Sequence, residues 1–275
     1  MPLYKNIKTY FYWIVSYKSG YKLLFHRIVD NRRGISMKKI FTILALLVAV
    51  IVGVYSYVTF FDHTEAKGKQ KTIMAFGDSL TYGKGDRKEQ GYVGQLQKEL
   101  NEKHQGTDYQ ILNYGVVNRE SSGVLKQLGN VKTADHLNET DYFIVFIGTN
   151  DLIHSNGGDL SELHPEKMKA AKEDYLDNMN AILKILQTAN KNAPVILLGL
   201  YNPYPEGHHH IEKYIDDWNQ SIQKLAASHE NVKFISTNEL FKGKNKKQYF
   251  SDSLHLDDDG YRLIAGKILK NYDFK

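Results

Sequence analysis

Four short polar stretches of the sequence carry the side chains that acyl transfer from an ester requires. They read GDSL at 77–80, NYGVVN at 113–118, GTND at 148–151 and DSLH at 252–255. A serine hydrolase needs an attacking hydroxyl, a base, a carboxylate that orients the base, and donors for the developing oxyanion. Because the four stretches contain each of these groups, they point to ester hydrolysis.

The residue types suggest a role for each group. Ser79 is the candidate nucleophile, His255 the base and Asp252 the carboxylate that orients it, since a spacing of three suits a tight turn. Asn150 can donate a side-chain N–H to the oxyanion, beside the backbone N–H groups of Ser79 and of the loop at 115–118. Taken singly, each has a plainer interpretation: Ser79 as a helix cap, Asn150 as a turn residue that closes a strand.

The surrounding pattern predicts how these stretches are brought together. Strand-like apolar runs at 72–77, 109–114, 141–147, 194–200 and 232–235 alternate with helical patterns at about 91–104, 121–130, 166–191, 209–229 and 258–271. This alternation predicts an α/β domain with a five-stranded parallel sheet covered on both faces. The polar stretches follow strands or precede helices, at the sheet edge where open α/β folds place their sites.

An apolar segment, Ile40–Phe61, precedes this domain and contains no charged residue. At about 1.5 Å per residue it is roughly 33 Å long, enough to cross a membrane. We interpret it as an uncleaved anchor; the alternative is a signal sequence with a weak cleavage site at 64–66. Residues 1–39 before it are basic and residues 62–65 after it are not, which predicts a cytoplasmic N-terminus and an extracytoplasmic domain.

Charge and composition exclude several classes of function. The net charge is +5, but residues 1–39 hold nine Lys/Arg and one acid, so residues 40–275 carry −3. No nucleic-acid-binding surface is therefore expected. The absence of cysteine excludes disulfides, thiolate zinc sites and a cysteine nucleophile. Three consecutive histidines, 208–210, follow a Pro-Tyr-Pro loop and are interpreted as a solvated loop or a lid. We expect no metal, no organic cofactor and no obligate protein partner.

In combination, FGDSLTYG, IGTND and DSLH resemble the motif blocks of the GDSL/SGNH-hydrolase superfamily of lipases, esterases and acylhydrolases. The resemblance covers residues 72–275, and the first block is most similar to a membrane-associated Gram-positive branch. It implies a three-layer α/β/α flavodoxin-like fold, with Ser79, Asp252 and His255 catalytic and Asn150 in the oxyanion hole. The family's backbone oxyanion donor is a glycine, and here that place is Asn118. We keep Asn118 as the donor, since asparagine tolerates left-handed geometry, and expect a narrower acyl pocket.

These observations predict a membrane-anchored serine esterase or lipase that acts outside the membrane on lipid-like or short acyl esters. Residues 1–39 form a basic cytoplasmic segment, 40–61 the anchor, 62–71 a linker and 72–275 the hydrolase domain. Residues 1–36 either lie at the membrane surface or precede a natural start at Met37. Two alternatives remain open: an O-acetylesterase that acts on cell-wall polysaccharide, and a non-catalytic surface module that binds through the same fold.

Overall fold

The structure, a computed structural model, describes residues 36–64, 69–158, 163–204 and 209–275. The chain divides into two compact units, Met1–Ala66 and Lys67–Lys275. The first unit contains helix α1, Met37–Thr64, and its residues Met37–Tyr57 are long and apolar enough to cross a membrane. A helix thus forms where the sequence predicts an anchor, and its insertion into a membrane remains a prediction.

The second unit alternates strands and helices. Its strands are β1 (Lys69–Gly77), β2 (Thr107–Gly115), β3 (Tyr142–Phe146), β4 (Val195–Leu198) and β5 (Val232–Ile235). Its helices are α2 (Ser79–Tyr82), α3 (Gly91–Lys103), α4 (Ser121–Leu128), α5 (Val131–Leu137), α6 (Thr149–Ser155), α7 (Pro165–Ala189), α8 (Glu212–Ala227) and α9 (Asp258–Asn271).

All five strands are parallel and lie in the order β2-β1-β3-β4-β5. Strand β1 is central and pairs with both β2 and β3. Its last residue, Gly77, aligns with Gly115 of β2 and with Phe146 of β3. The carboxyl ends of three strands therefore meet at one edge, as the sequence predicts for the site.

Alternate residues of the strands pack against helices on opposite faces of the sheet. Met74 and Phe76 of β1 face a core formed with α4, α5, α6, α7 and α8, whereas Ile73 and Ala75 face α3 and α9. Met74, Phe76, Ile73 and Ala75 are all fully buried. Burial on both faces of the sheet explains why β3 and β4 are apolar throughout, and it confirms the three-layer α/β/α fold.

Helices α2, α5 and α6 are absent from the sequence-based prediction. They have four or seven residues, at most two turns, which is too short for an apolar periodicity to be recognised. The helix predicted at 209–229 instead begins with a 3-10 turn at His209–Ile211 and continues as α8 from Glu212.

Candidate active site

The junction between β1 and α2 presents Ser79 at the carboxyl edge of the sheet. Gly77 ends the strand in a crowded position, where a Cβ would overlap the Phe146 carbonyl oxygen and the Thr81 side chain. Asp78 is the N-cap of α2 and accepts the Leu80 N–H at 2.9 Å. Because Asp78 caps the helix, the interpretation of Ser79 as the cap is wrong, and its hydroxyl is available for another partner.

That partner is His255, which is 176 positions away in the sequence. Its Nε2 lies 3.0 Å from the Ser79 Oγ, and its Nδ1 lies 2.7 Å from the Asp252 Oδ2. Ser79 and His255 are both buried. The three residues thus have the hydrogen-bond geometry of a nucleophile, a base and the carboxylate that orients the base.

Asp252 also builds the turn that carries the histidine. Its Oδ1 accepts the backbone N–H groups of Leu254 and His255 at 2.8 and 2.7 Å, while its Oδ2 faces the imidazole. Partial burial raises the pKa of Asp252, but these hydrogen bonds outweigh it, so that the pKa is lowered overall. Asp252 therefore stays ionised, as stabilising an imidazolium requires.

Asn150 lies in the first turn of α6, just after β3, and is buried. Its Nδ2 donates to the Arg119 carbonyl oxygen at 2.8 Å and lies 3.5 Å from the Asp78 Oδ2. A primary amide has two N–H groups, and the Arg119 carbonyl holds one of them. The second N–H, directed toward Asp78 only at long range, is the one able to meet an oxyanion.

The predicted backbone donor, Asn118, lies in a tight turn between β2 and α4. Arg119 N–H donates to the Val116 carbonyl oxygen, and Asn118 has a φ of 60°, the positive value that the third position of a type II turn requires. Within the described residues the Asn118 N–H has no acceptor. The turn starts beside the nucleophile, because Val116 N–H donates to the Gly77 carbonyl oxygen at 3.1 Å.

Two acidic residues of the site were missed by the sequence-based reasoning. The pKa of Asp78 is raised to about 7, chiefly by burial and to a smaller extent by the nearby Asp151 charge, against the opposing effect of the Leu80 N–H. Burial also raises the pKa of Asp151, whose carboxylate accepts two hydrogen bonds from Ser121. Both acids stand inside recognised motifs, GDSL and GTND, but nothing in the sequence shows that they are buried or what they contact.

The histidine run offers no metal centre that the structure can describe. His208 lies outside the described residues, and His210 is exposed in the 3-10 turn before α8. Over the described parts of the chain, no three His, Asp or Glu side chains are grouped closely enough to hold an ion.

The chain is similar in sequence to known proteins. A family model described as GDSL-like lipase/acylhydrolase matches residues 75–263. An uncharacterized protein of Bacillus subtilis, YpmR, is 28% identical over 245 residues, 84% of this chain and 94% of that protein. The spore germination lipase LipC of Bacillus licheniformis is 25% identical over 199 residues, 70% of this chain and 92% of LipC.

Solved structures share the fold. The lipase Lip_vut3 from a goat rumen metagenome superposes with a TM-score of 0.66 at 25% identity, over 73% of this chain and 97% of the lipase. A variant of Axe2, an acetyl-xylooligosaccharide esterase from Geobacillus, superposes with a TM-score of 0.60 at 18% identity, over 76% of this chain and 97% of Axe2.

Proposed function

Because the chain belongs to the GDSL-like lipase/acylhydrolase family, we propose that it is an ester hydrolase that forms an acyl-enzyme on Ser79. The observation that carries the proposal is the continuous chain of hydrogen bonds from Ser79 Oγ through His255 to Asp252. A binding module would have no need of this arrangement. The intact catalytic chain therefore favours an enzyme over a non-catalytic surface protein.

In the first half of the reaction the Ser79 Oγ attacks the ester carbonyl carbon while His255 Nε2 takes the hydroxyl proton. Asp252 stabilises the resulting imidazolium. The carbonyl oxygen becomes an oxyanion and accepts hydrogen bonds from the second Asn150 amide N–H and from the backbone N–H groups of Ser79 and Asn118. The Ser79 N–H suits this role because the first residue of a helix has no intrahelical acceptor.

Collapse of the tetrahedral intermediate breaks the bond to the alcohol, which leaves with the proton from His255 Nε2. Water then attacks the acyl-enzyme, and His255 takes a proton from this water. The second tetrahedral intermediate releases the carboxylic acid and returns the proton to Ser79 Oγ. Apart from the ester and water, these steps use only the side chains and backbone donors named above.

The substrates we propose are lipid-like or short acyl esters, the class that the name of LipC suggests. Two partly exposed apolar side chains lie near the nucleophile: Tyr82, three residues after Ser79, and Val116 of the loop at 115–118 (the oxyanion loop), whose N–H donates to the Gly77 carbonyl oxygen. An acyl chain can cover such surfaces. We also propose that the domain acts outside the membrane, held by α1, because the basic residues lie before that helix and in its first turn.

The test is hydrolysis of p-nitrophenyl acetate and butyrate by the full chain in detergent, with labelling by a fluorophosphonate probe. Ser79→Ala should abolish both signals, while Ser228→Ala, an exposed serine at the end of α8, should change neither. If the wild-type chain hydrolyses no ester and takes up no probe, the proposal fails. A profile across acyl-chain lengths then separates an acetyl-specific esterase from a lipase.

A further inference from the structure

Helix α6 contacts the three consecutive residues, 119–121, that follow the oxyanion loop. Asn150 donates to the carbonyl oxygen of Arg119, His154 Nδ1 lies 2.7 Å from Glu120 Oε1, and Asp151 accepts from Ser121. The His154–Glu120 pair is largely exposed, whereas Ser121 is fully buried. The contact between Asp151 and Ser121 is partly buried and is therefore better shielded from competing water than the exposed pair.

The Asp151–Ser121 contact is a helix cap supplied from another helix. Ser121 is the first residue of α4, and Glu120, the residue in the N-cap position, makes no side-chain cap of its own. Instead the Asp151 carboxylate accepts the Ser121 N–H at 3.0 Å and the Ser121 Oγ–H at 2.5 Å. A carboxylate that satisfies the first free N–H of a helix fixes the residue at which the helix begins.

A third side chain orients the serine hydroxyl. Asn178 of α7 donates its Nδ2 to the Ser121 Oγ at 3.1 Å, so that the hydroxyl accepts from Asn178 and must donate to Asp151. The donor and the acceptor in each hydrogen bond of the Ser121 hydroxyl are therefore fixed. Such a fully satisfied network holds one geometry, and loss of one member leaves the other polar groups without partners.

Helix α4 begins at Ser121, two residues after the turn that contains Asn118 ends at Arg119. The turn is held at its beginning by the hydrogen bond from Val116 N–H to Gly77, and at its end by Arg119 and Ser121. We propose that Asp151 is a positioning residue for ester hydrolysis, which holds this turn so that the Asn118 N–H meets the oxyanion. The proposal rests on the proposed function and adds to it a residue that touches neither the substrate nor the triad.

This role gives a kinetic signature that a cap with only a structural role does not give. Asp151→Ala removes the acceptor of the Ser121 hydrogen bonds that hold the end of the turn. If the Asn118 N–H is displaced by about 1 Å as a result, the rate of hydrolysis falls by up to about a hundredfold. We therefore expect kcat to fall about 10- to 100-fold while KM stays within about threefold, because the loss is confined to the transition state. Asp151→Asn keeps one acceptor oxygen for Ser121 and should retain an intermediate kcat.

The experiment measures kcat, KM and the rate of fluorophosphonate labelling for full-length variants in detergent, with thermal unfolding as a second readout. Labelling of Ser79 also places negative charge in the oxyanion hole, so its rate should fall in parallel with kcat. Asp141→Ala is the matched control: its carboxylate accepts the Thr72 N–H at 2.8 Å at the opposite end of the sheet. It should lower the unfolding temperature without lowering kcat by more than about twofold.

The exposed pair gives a second control, since Glu120→Gln should leave kcat within about twofold. The proposal is overturned if Asp151→Ala folds and its kcat matches that of Asp141→Ala, or if only KM changes. Should Asp151→Ala not fold, Ser121→Ala removes the hydroxyl alone and is expected to lower kcat severalfold; a folded Ser121→Ala with wild-type kcat also overturns the proposal. Failure of the wild-type chain to hydrolyse any ester would instead refute the proposed function.

Discussion

Asp78 lies between the nucleophile and the side chain of the oxyanion donor. One of its oxygens caps α2 through Leu80, and the other lies 3.5 Å from the Asn150 amide nitrogen. The side chain is enclosed, and the burial that raises its pKa to about 7 outweighs the stabilising Leu80 N–H. A carboxyl group in such a position is protonated over much of the acid range, and its ionisation has a cost to folding.

The sign of this effect on stability follows from the two pKa values. The pKa in the folded protein, about 7, is higher than the ordinary 3.8, so between these values the folded state binds the extra proton and stability falls as pH rises. Asp78→Asn keeps the cap but removes the ionisation. At about pH 8 we expect it to raise the free energy of unfolding relative to wild type by at most about 4 kcal/mol, and with it the unfolding temperature, and to change both little near pH 4.

Thermal unfolding of wild type and Asp78→Asn across this pH range is the measurement. Asp86→Asn serves as the control, since Asp86 also accepts backbone N–H groups, at Lys88, Gln90 and Gly91. Asp86→Asn should not raise the unfolding temperature at about pH 8 as Asp78→Asn does. If the unfolding temperatures of wild type and Asp78→Asn changed in parallel with pH, the loss of stability at alkaline pH would not come from the Asp78 carboxyl group.

Asn118 stands at the place where the resemblance in the sequence implies a glycine. Its φ of 60° is allowed to glycine without strain, tolerated by asparagine and unfavourable for a β-branched side chain. Asn118→Gly should therefore keep kcat within about threefold, whereas Asn118→Val should lower it by about tenfold or more, since strain in the turn moves the backbone donor.

Steady-state kinetics with p-nitrophenyl butyrate tests the pair of Asn118 variants. The control is Asn231, which has the same φ of 60° but precedes β5, at the other end of the sheet. Asn231→Val should reduce thermal stability and spare kcat. Equal kcat values for Asn118→Val and Asn118→Gly would show that the backbone at this position has no part in the reaction.

At the scale of elements, the turn that carries Asp252 and His255 lies against the loop after α2. Gly85 has a φ of 98°, and a Cβ there would overlap the Leu256 carbonyl oxygen and the Ser251 hydroxyl and would press on the His255 Cβ. Leu256 follows His255 in the chain, and the Ser251 hydroxyl donates to the His255 carbonyl oxygen. The site therefore depends on close backbone approach between two loops that lie far apart in the sequence.

Gly85→Ala should displace this turn and lower kcat by at least about tenfold, because the His255 ring would leave hydrogen-bond distance of Ser79. Gly106→Ala is the matched control: its φ is 89°, but nothing lies within 4 Å of the added Cβ. Both variants carry similar backbone strain, so a loss of kcat confined to Gly85→Ala identifies the contact as the cause. Equal losses of kcat in Gly85→Ala and Gly106→Ala would show that backbone strain alone lowers kcat.

The strands and helices also show how much of the structure could be predicted from the sequence. The five strands are apolar runs and the long helices have regular periodicity, so the three-layer fold and the edge that gathers Ser79, Asn150 and His255 could be derived from local pattern. The short helices α2 and α6 could not, although they place Ser79 and Asn150. Contacts such as Asp151 with Ser121 depend on how α6 and α4 approach each other, and such distances are properties of the folded chain.

At the scale of the whole molecule, α1 is apolar on all sides, and every described residue of its span is exposed. An unburied apolar helix of this length is stable in a hydrocarbon environment, whereas in water it would expose a large apolar surface. Seven of the nine basic residues at 1–39 precede α1 and the other two, Lys38 and Lys39, lie in its first turn, whereas the hydrolase unit follows it in the chain. We therefore expect a single-pass anchor with the hydrolase domain on the outer side.

An alkaline phosphatase fused after residue 64 should be active in cells, because this reporter folds only outside the cytoplasm, and it should stay in the membrane pellet after carbonate washing. Leu47→Arg places a charge near the centre of the span, at a cost of about 2.5–3.5 kcal/mol, and should reduce the membrane-bound fraction. Lys39→Arg, at the basic flank, should not. Release of an active, shortened reporter into the medium would show that α1 is a cleaved signal sequence, and an inactive reporter retained in the cell would contradict the orientation.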